Sequence, residues 1–462
     1  MALRCNLPTF SLAIIGVTVM SSVIYAQSAP PSTFGEQPKL PAPEQSWLPT
    51  LNWAPAEPWP DGMMPKAGQG LSVNAFARNL KHPRWIYVLP NGDVLVAEAS
   101  SEPSSSWSPR ALAQTFVQRR AGAIVENANR ISILRDTNGD GVADEQSVFL
   151  EGLRQPFGMA LVGDQLYVAN TDSVVRFPYK TGDKRIADKG TKIVDIPVGH
   201  HWTRNLLATP DGSKLFITVG SGSNIGEKGM EIEKDRATIW ELDLASSKSR
   251  VFASGLRNAN GMAIEPSTGV LWTVVNERDE IGDNLPPDYL TSVKDGGFYG
   301  WPYSYWGKTV DERVQPQRPD LVAQALTPDY ALGGHTASLG LAYYGGTALP
   351  QPFQNGMFIG QHGSWNRSDL SGYKVVFVPF KDGRPSEMPL DVLTGFLKDQ
   401  GEAAYGRPVG VTIDNNGTLL VADDVGNTIW RVTAANDNKD MAPISRNQNR
   451  PEAGTTGGKP AE

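Results

Sequence analysis

From Leu71 onward the chain alternates short apolar runs with turns rich in Gly, Asp and Asn, and one unit recurs: apolar strand, polar turn, apolar strand. Trp85-Ile-Tyr-Val-Leu, Pro90-Asn-Gly-Asp and Val94-Leu-Val-Ala97 make the first clear copy. The unit returns as Phe157-Gly-Met-Ala-Leu with Gln165-Leu-Tyr-Val-Ala169, as Leu206 to Thr209 with Leu215 to Val219, and as Gly261-Met-Ala-Ile with Val270-Leu-Trp-Thr-Val-Val. A fifth copy, stretched by an insertion, runs from Leu339-Gly-Leu-Ala-Tyr to Met357-Phe-Ile-Gly, and the sixth joins Arg407-Pro-Val-Gly-Val-Thr-Ile to Thr418-Leu-Leu-Val-Ala. Runs of this length between turn residues are strands, and Pro210-Asp211-Gly212 in the third copy is a hairpin turn whose glycine takes positive φ.

Further strands lie between the copies, among them Arg130-Ile-Ser-Ile-Leu, Ser173-Val-Val-Arg-Phe, Thr238-Ile-Trp-Glu-Leu and Thr428-Ile-Trp-Arg-Val. Four strands per unit, repeated six times, predict an all-β fold: a six-bladed β-propeller of four-stranded antiparallel blades over residues 71–433. A β-solenoid would need shorter and more regular periods. Helical signal is scarce, the best stretch being Pro109 to Arg120 in the insertion after the first hairpin.

Residues 1–26 carry Arg4, an apolar stretch from Leu12 to Val23 and a small-residue end at Ala26, which reads as a cleaved secretory signal. Its apolar run is shorter than the roughly 20 residues that a spanning helix needs. Residues 27–70, rich in Pro, Ser and Ala near their start, read as a linker and extended lead-in, and residues 434–462 as a disordered polar tail. The expected location is periplasmic or secreted.

A formal net charge of −7 without a Lys/Arg block argues against nucleic acid and anionic membrane surfaces, and leaves a small molecule as the partner. The single cysteine, Cys5, lies inside the signal. A mature chain without thiols forms no disulfide, no Cys-based zinc site and no C-x-x-C-H haem attachment. Any redox chemistry therefore hands its electrons to a separate acceptor.

In a propeller the innermost strands surround the axis, so residues at their equivalent ends converge on one face. Those ends carry Arg84, Gln155, His201 with Arg204, Arg257 with Asn258, His335 and Arg407, while Arg367 follows the later strand of the fifth hairpin. Arginines aimed at one axis suit an anion with planar carboxylates, although each arginine taken singly is better explained by a local acidic partner. Imidazole accepts a proton near neutrality, so His201 is a candidate general base; the spacing alone does not choose between it and His200. No G-x-S-x-G elbow points to a serine hydrolase. Asp136, Asn138, Asp140 and Asp144 have the spacing of a Ca²⁺ loop without its closing Glu, a spacing equally natural for a hydrogen-bonded turn. Glu277, Asp279 and Glu280 form a second acidic stretch able to put oxygens near the axis or simply to face solvent.

With these residues in view, the chain resembles the sorbosone dehydrogenase-like branch of the soluble aldose dehydrogenases that use pyrroloquinoline quinone. The resemblance rests on Gly199-His-His-Trp-Thr-Arg-Asn-Leu, Leu256-Arg-Asn-Ala-Asn-Gly-Met-Ala, Asn276-Glu-Arg-Asp-Glu, Gly296-Gly-Phe-Tyr-Gly-Trp-Pro, His362-Gly-Ser-Trp-Asn-Arg-Ser and Gly406-Arg-Pro-Val-Gly-Val, in order over most of residues 70–432. It implies a six-bladed propeller whose axial cleft holds the quinone and Ca²⁺. It also implies that His201 takes the sugar hydroxyl proton, that Arg257 and Asn258 lie beside the quinone oxygens, and that Arg407 is the arginine of the last blade. Two departures stand out. The lysine that glucose-oxidising members set against the cofactor has no counterpart, Arg367 being the nearest cation, and their Gly-Pro calcium carbonyls are replaced by Glu277-Arg278.

The expected function is oxidation of the carbonyl or anomeric carbon of a sugar by hydride transfer to the quinone. A calcium-dependent lactonase and a non-catalytic ligand-binding propeller are the alternatives. The polar tail offers no apolar face to bury. Ending the chain at about residue 436 should leave soluble yield and thermal unfolding unchanged, and loss of either would move the domain boundary.

Overall fold

The computed structural model describes residues 33–44, 50–103 and 109–435; the expected signal lies outside them, as does the expected tail apart from Ala434 and Ala435. Each hairpin of the repeat forms the two inner strands of one antiparallel sheet. In the first blade the order is Pro83–Val88, Val94–Glu98, Arg130–Arg135, Glu145–Leu150, and in the second Met159–Val162, Gln165–Ala169, Ser173–Pro178, Thr191–Asp195. The third blade runs Leu206–Ala208, Lys214–Val219, Thr238–Asp243, Ser249–Ser254, with Leu206 opposite Ile217 and Ala208 opposite Leu215. Gly212 closes that hairpin at φ 68° and donates its N–H to the Thr209 carbonyl.

The fourth blade is built on Asn258–Glu265, Val270–Asn276, Pro287–Ser292 and Tyr330–Gly334, and the fifth on Ser338–Tyr344, Gly356–Gln361, Lys374–Lys381 and Leu390–Thr394. The sixth takes Pro408–Ile413, Leu419–Asp423 and Thr428–Ala434 from the end of the chain and Leu71–Ala77 from its beginning. That pairing, from Leu71 opposite Ala434 to Ala77 opposite Ile429, closes the ring of six blades. The predicted helix is present as Pro109–Arg120, in the excursion between the second and third strands of the first blade. Among the described residues no helix is long and apolar enough to cross a membrane.

Adjacent blades meet where inner strands come nearest the axis, and the repeat places glycine there. A Cβ on Gly340 would lie 2.2 Å from the Val409 carbonyl oxygen of the next blade, and one on Gly158 2.3 Å from the Leu206 nitrogen. Gly261 and Gly410 stand in the same way against Leu341 and Arg84. The inner strands thereby enclose a narrow axial cavity of about 110 Å³ lined from all six blades, with Tyr87, Leu161, Leu207, Met262, Tyr343 and Thr412 among its walls.

The lead-in does more than link. Phe34–Gly35 adds a fifth strand to the fourth blade beside Tyr330–Gly334, and Lys66–Ala67 pairs with Leu390–Thr394 at the edge of the fifth. Unpaired strand edges need such cover, which explains why a Pro-rich segment is held against the sheet. Trp59 packs against Phe396, Tyr405 and Trp430 at centroid distances of 5.4–5.7 Å.

Asp423 ties lead-in, last blade and site together. Its Oδ2 accepts from the Trp59 and Trp430 indoles at 2.8 and 3.0 Å, and its Oδ1 from the Arg407 and Gly426 amides, each at 2.8 Å. The carboxyl is fully buried, and burial pushes its pKa up to about 6 despite these donors. Asp423→Ala leaves four donors without an acceptor and should cost about 3–5 kcal/mol in urea unfolding. A variant with an unchanged midpoint would show that these bonds contribute nothing net.

Candidate active site

Because the two inner strands of each blade run antiparallel, the entrance of the first lies beside the exit of the second. Pro83 is opposite Glu98, Asn258 opposite Asn276, Ser338 opposite Gln361, and Pro408 opposite Asp423. The axial face is therefore lined by two sets of residues, those entering inner strands and those leaving second strands. Several entrances are strained: His82, Gln155 and His335 hold φ of 56°, 45° and 56°, where non-glycine residues are uncommon.

His201 approaches from the loop before Leu206–Ala208. Its Nδ1 lies 3.0 Å from both the carbonyl and the hydroxyl oxygen of Ser221, which leaves the second strand of the same blade. The Ser221 hydroxyl donates at 2.7 Å to the Ser223 carbonyl, so it turns only lone pairs toward the ring. Nδ1 must then carry the proton, and Nε2 is left as a bare acceptor. Burial, then His200 and Arg257, hold the imidazole well below its ordinary pKa, so it is neutral at pH 7. Asn258 is its neighbour: a Cβ on Gly220 would lie 2.4 Å from Asn258 Oδ1 and 2.6 Å from His201 Cβ.

His200 does not turn away as strand alternation would require. Its ring stands edge-on to His201 at 4.8 Å, because residues 199–205 are irregular and obey no two-residue period. Trp202 donates its indole N–H to the Ser101 hydroxyl, meets Phe157 edge-on, and lies 5.5 Å under the Arg84 guanidinium.

The arginines divide by what already occupies them. Arg257 donates to the carbonyls of Asn224, Asn276 and Glu277 and to Asn224 Oδ1, and reaches Asp279 Oδ2 at 3.4 Å. Arg204 spends its Nη atoms on the carbonyls of His201, Thr203 and Pro197, and burial lowers its pKa to about 9. Arg367 likewise holds Asp283, Asn284 and Gly334. These three brace loops, which is the local role open to any single arginine. Arg407 differs: its Nη2 makes one long 3.3 Å bond to the Ala54 carbonyl and its plane lies 4.7 Å from the Tyr373 ring. The buried Nε atoms of Arg84, Arg204, Arg367 and Arg407, and Asn258 Oδ1, have no hydrogen-bond partner. Gln155 donates its amide to the Ser100 carbonyl at 2.8 Å.

Two members of the acidic stretch, Asp279 and Glu280, are paired with cations. Asp279 lies between Arg257 and His335, whose Nδ1 is 3.4 Å away and whose Nε2 donates to the Gly282 carbonyl at 2.9 Å. Burial favours neutral His335, but Asp279 outweighs it and raises the pKa. Burial also lifts Glu277 to about 7, and its Oε1 has no partner. Glu280 lies 3.8 Å from Arg313. In the 136–144 loop, Asp136, Asn138 and Asp140 accept backbone N–H groups of the loop itself, and Asp144 takes the Thr137 hydroxyl at 2.7 Å. That is the hydrogen-bonded turn. Among the described residues no group of three His, Cys, Asp or Glu is placed to hold a metal.

The entrances of inner strands were legible as a repeat; the exits of second strands carry what that pattern missed. Asp424, Ser221 and Ser100 stand at such exits, and so does His362, which enters the sequence reading only as part of a motif. The antiparallel hairpin itself was the available signal. His82 and the lead-in contact through Ala54 had none.

The ring of antiparallel hairpins brings a neutral histidine, stacked arginines and unpartnered polar atoms together at the axial mouth of a propeller. The chain belongs to the TrAA12-like family, whose model matches residues 65–289 and 317–435. It is 25% identical over 328 residues to the pyrroloquinoline quinone-dependent pyranose dehydrogenase of Coprinopsis cinerea, covering 58% of this chain and 44% of that protein. It is 29% identical over 206 residues to aldose sugar dehydrogenase YliI of Escherichia coli, covering 39% of this chain and 52% of that protein. The chain thus matches about half the length of these two dehydrogenases. Its fold matches the holo form of the pyranose dehydrogenase PQQ domain from Coprinopsis cinerea, with a TM-score of 0.66 and 20% identity over 83% of this chain and 100% of that one.

His82, His201 and His362 all have depressed pKa values, burial being the largest cause in each, with His82 at about 4. Below pH 6.5 the unfolded chain takes up protons that the folded one refuses, so stability falls as pH drops from 6.5 toward the folded values. For His82 the loss is about 3 kcal/mol by pH 4. Urea midpoints measured across pH 4–7 should fall less steeply for His82→Gln than for the parent, and parallel curves would assign the acid lability elsewhere.

Proposed function

We propose that this protein is an exported sugar dehydrogenase that uses pyrroloquinoline quinone, oxidises the carbonyl or anomeric carbon of an aldose or sorbosone-like sugar, and passes the electrons to a separate acceptor. The observation that carries the reading is His201, fixed with its lone pair on Nε2 beside buried polar atoms that lack partners. The family and the printed activities of the two curated relatives support it. Arg407 and Arg84, each with a free buried Nε, fit the carboxylates of a planar anion, and Asn258 Oδ1 fits a donor such as a sugar hydroxyl.

When bound, the quinone would supply the acceptor for the two electrons of the sugar C–H bond. The chain's own part begins with Arg407 and Arg84, which offset the anion's charge, each stacked on an aromatic face. His201 Nε2 takes the hydroxyl proton from the carbon being oxidised, and Ser221 keeps the ring in the required tautomer. Trp202 and Phe157 meet edge-on and give the site an apolar side. A calcium-dependent lactonase would need carboxylates and amides converging on the axis, whereas Asp279 and Asp424 here are paired with Arg and His. A binding module would have no use for the fixed tautomer.

His201→Ala should bind quinone as the parent does and lower sugar turnover by about 10²–10⁴-fold, measured with a dye acceptor. His200→Ala should be far milder, since no bond fixes its tautomer. Near-normal activity in both variants would remove histidine from the mechanism and favour the binding-module reading. Arg407→Ala should weaken quinone binding by about 2–4 kcal/mol in a spectrophotometric titration, with little change in apo stability. Lost apo stability with unchanged affinity would mark Arg407 as a structural residue.

A further inference from the structure

A second histidine at the axial mouth is held in a different way from His201. His362, just beyond Gly356–Gln361 of the fifth blade, sets its Nε2 2.8 Å from Asp424 Oδ2. Asp424 leaves the second strand of the sixth blade and is buried completely, and the same oxygen takes Arg84 Nη1 and lies 3.5 Å from His82 Nε2. Its Oδ1 has no partner. An ionised carboxylate only accepts, so His362 donates from Nε2 and its Nδ1 is left bare. Within the cluster the side-chain exposures are 0% for Asp424, 3% for His82, 9% for Arg84 and 15% for His362, so His362 is its most exposed member.

The charged and titratable groups that face His362 are Asp424, Arg407, Arg84 and His82. Arg84 and Arg407 each carry a buried Nε without a partner, which puts His362 at the border of the candidate anion site. His201 rests on a neutral carbonyl and hydroxyl, whereas His362 rests on a carboxylate. A carboxylate stabilises the imidazolium that forms on protonation, so the two rings suit different tasks.

We propose that His362, positioned by Asp424, is the group that receives the second proton of each turnover. The role rests on the dehydrogenase reading above. Converting one sugar carbinol to a carbonyl breaks an O–H and a C–H bond and releases two protons and two electrons. The hydroxyl proton goes to His201. The C–H hydrogen departs as hydride, one proton with both electrons, to the quinone. When both electrons pass on to the acceptor, as two single transfers or one double, the hydride's proton remains and needs a base. His201 serves the hydroxyl proton on the third blade, and His362 presents a bare Nδ1 on the fifth blade, away from it. From there the proton leaves to solvent through the exposed edge of the ring.

The test separates the two half-reactions and adds a readout on the apo protein. In apo protein labelled with ¹⁵N at histidine, NMR should show His362 protonated at Nε2, and Asp424→Asn should lower its pKa and mix its tautomers. In quinone-loaded protein, His362→Gln should reduce the cofactor with sugar within about threefold of the parent rate. Reoxidation by a phenazinium dye in stopped flow should slow by at least 30-fold, with partial rescue by added imidazole. Reoxidation at the parent rate would overturn the proposal, as would equal losses in both halves or an Nδ1-protonated His362 in the apo spectrum. Failure of any aldose to reduce the quinone in the parent protein would sink the dehydrogenase reading and this role with it, and is visible separately from a fault in His362 alone.

Discussion

Everything at the active face depends on how closely the inner strands approach one another round the axis. The repeat places glycine at the contact, and a side chain at Gly340 or Gly158 would collide with backbone of the next blade. Closer packing of strand backbones leaves the axial cavity narrow. Six hairpins then deliver their entrance and exit residues to one small area. The chemistry is concentrated because the ring is tight.

Concentrating cations in that area raises an electrostatic difficulty, and the structure meets it with a few buried acids. Asp424 serves Arg84 and two histidines, and Asp279 serves Arg257 and His335. Burial alone would raise both carboxyl pKa values, yet the surrounding cations and hydrogen bonds hold both below the ordinary value. Other arginines are absorbed by backbone carbonyls. What survives as positive charge without an acidic partner is small: Arg407, stacked on Tyr373. Positive charge at the mouth therefore has a definite place, which is what an anionic cofactor would require for orientation as well as affinity.

The lead-in completes this arrangement from outside the repeat. It covers sheet edges at two blades, inserts Trp59 against Trp430, and brings the Ala54 carbonyl to Arg407. Asp423 then couples the fold to the site, since one oxygen binds both indoles and the other binds the Arg407 backbone. Loosening the lead-in would loosen the arginine best placed to meet a ligand.

How much of this the sequence determined follows from which interactions are local. Hairpins with Pro-Asp-Gly or Asn-Gly turns, a four-strand unit, the six-fold count and the Pro109–Arg120 helix depend on neighbours in the chain, and all were legible there. The entrance residues His201, Asn258 and Arg407 were legible too, because a repeat marks equivalent positions. Which arginine is free was not, since Arg257 and Arg407 look alike until the carbonyls of Asn276 and Glu277 are seen filling the first and the Tyr373 ring supporting the second. His201 could be singled out, but its tautomer depends on Ser221, twenty residues away and bound in turn to Ser223. The Asp424 hub draws on three blades and on residues up to 342 positions apart, so only tertiary structure could assemble it. Local sequence sets the strands and their turns; the pairing of charges round an axis is a property of the closed ring.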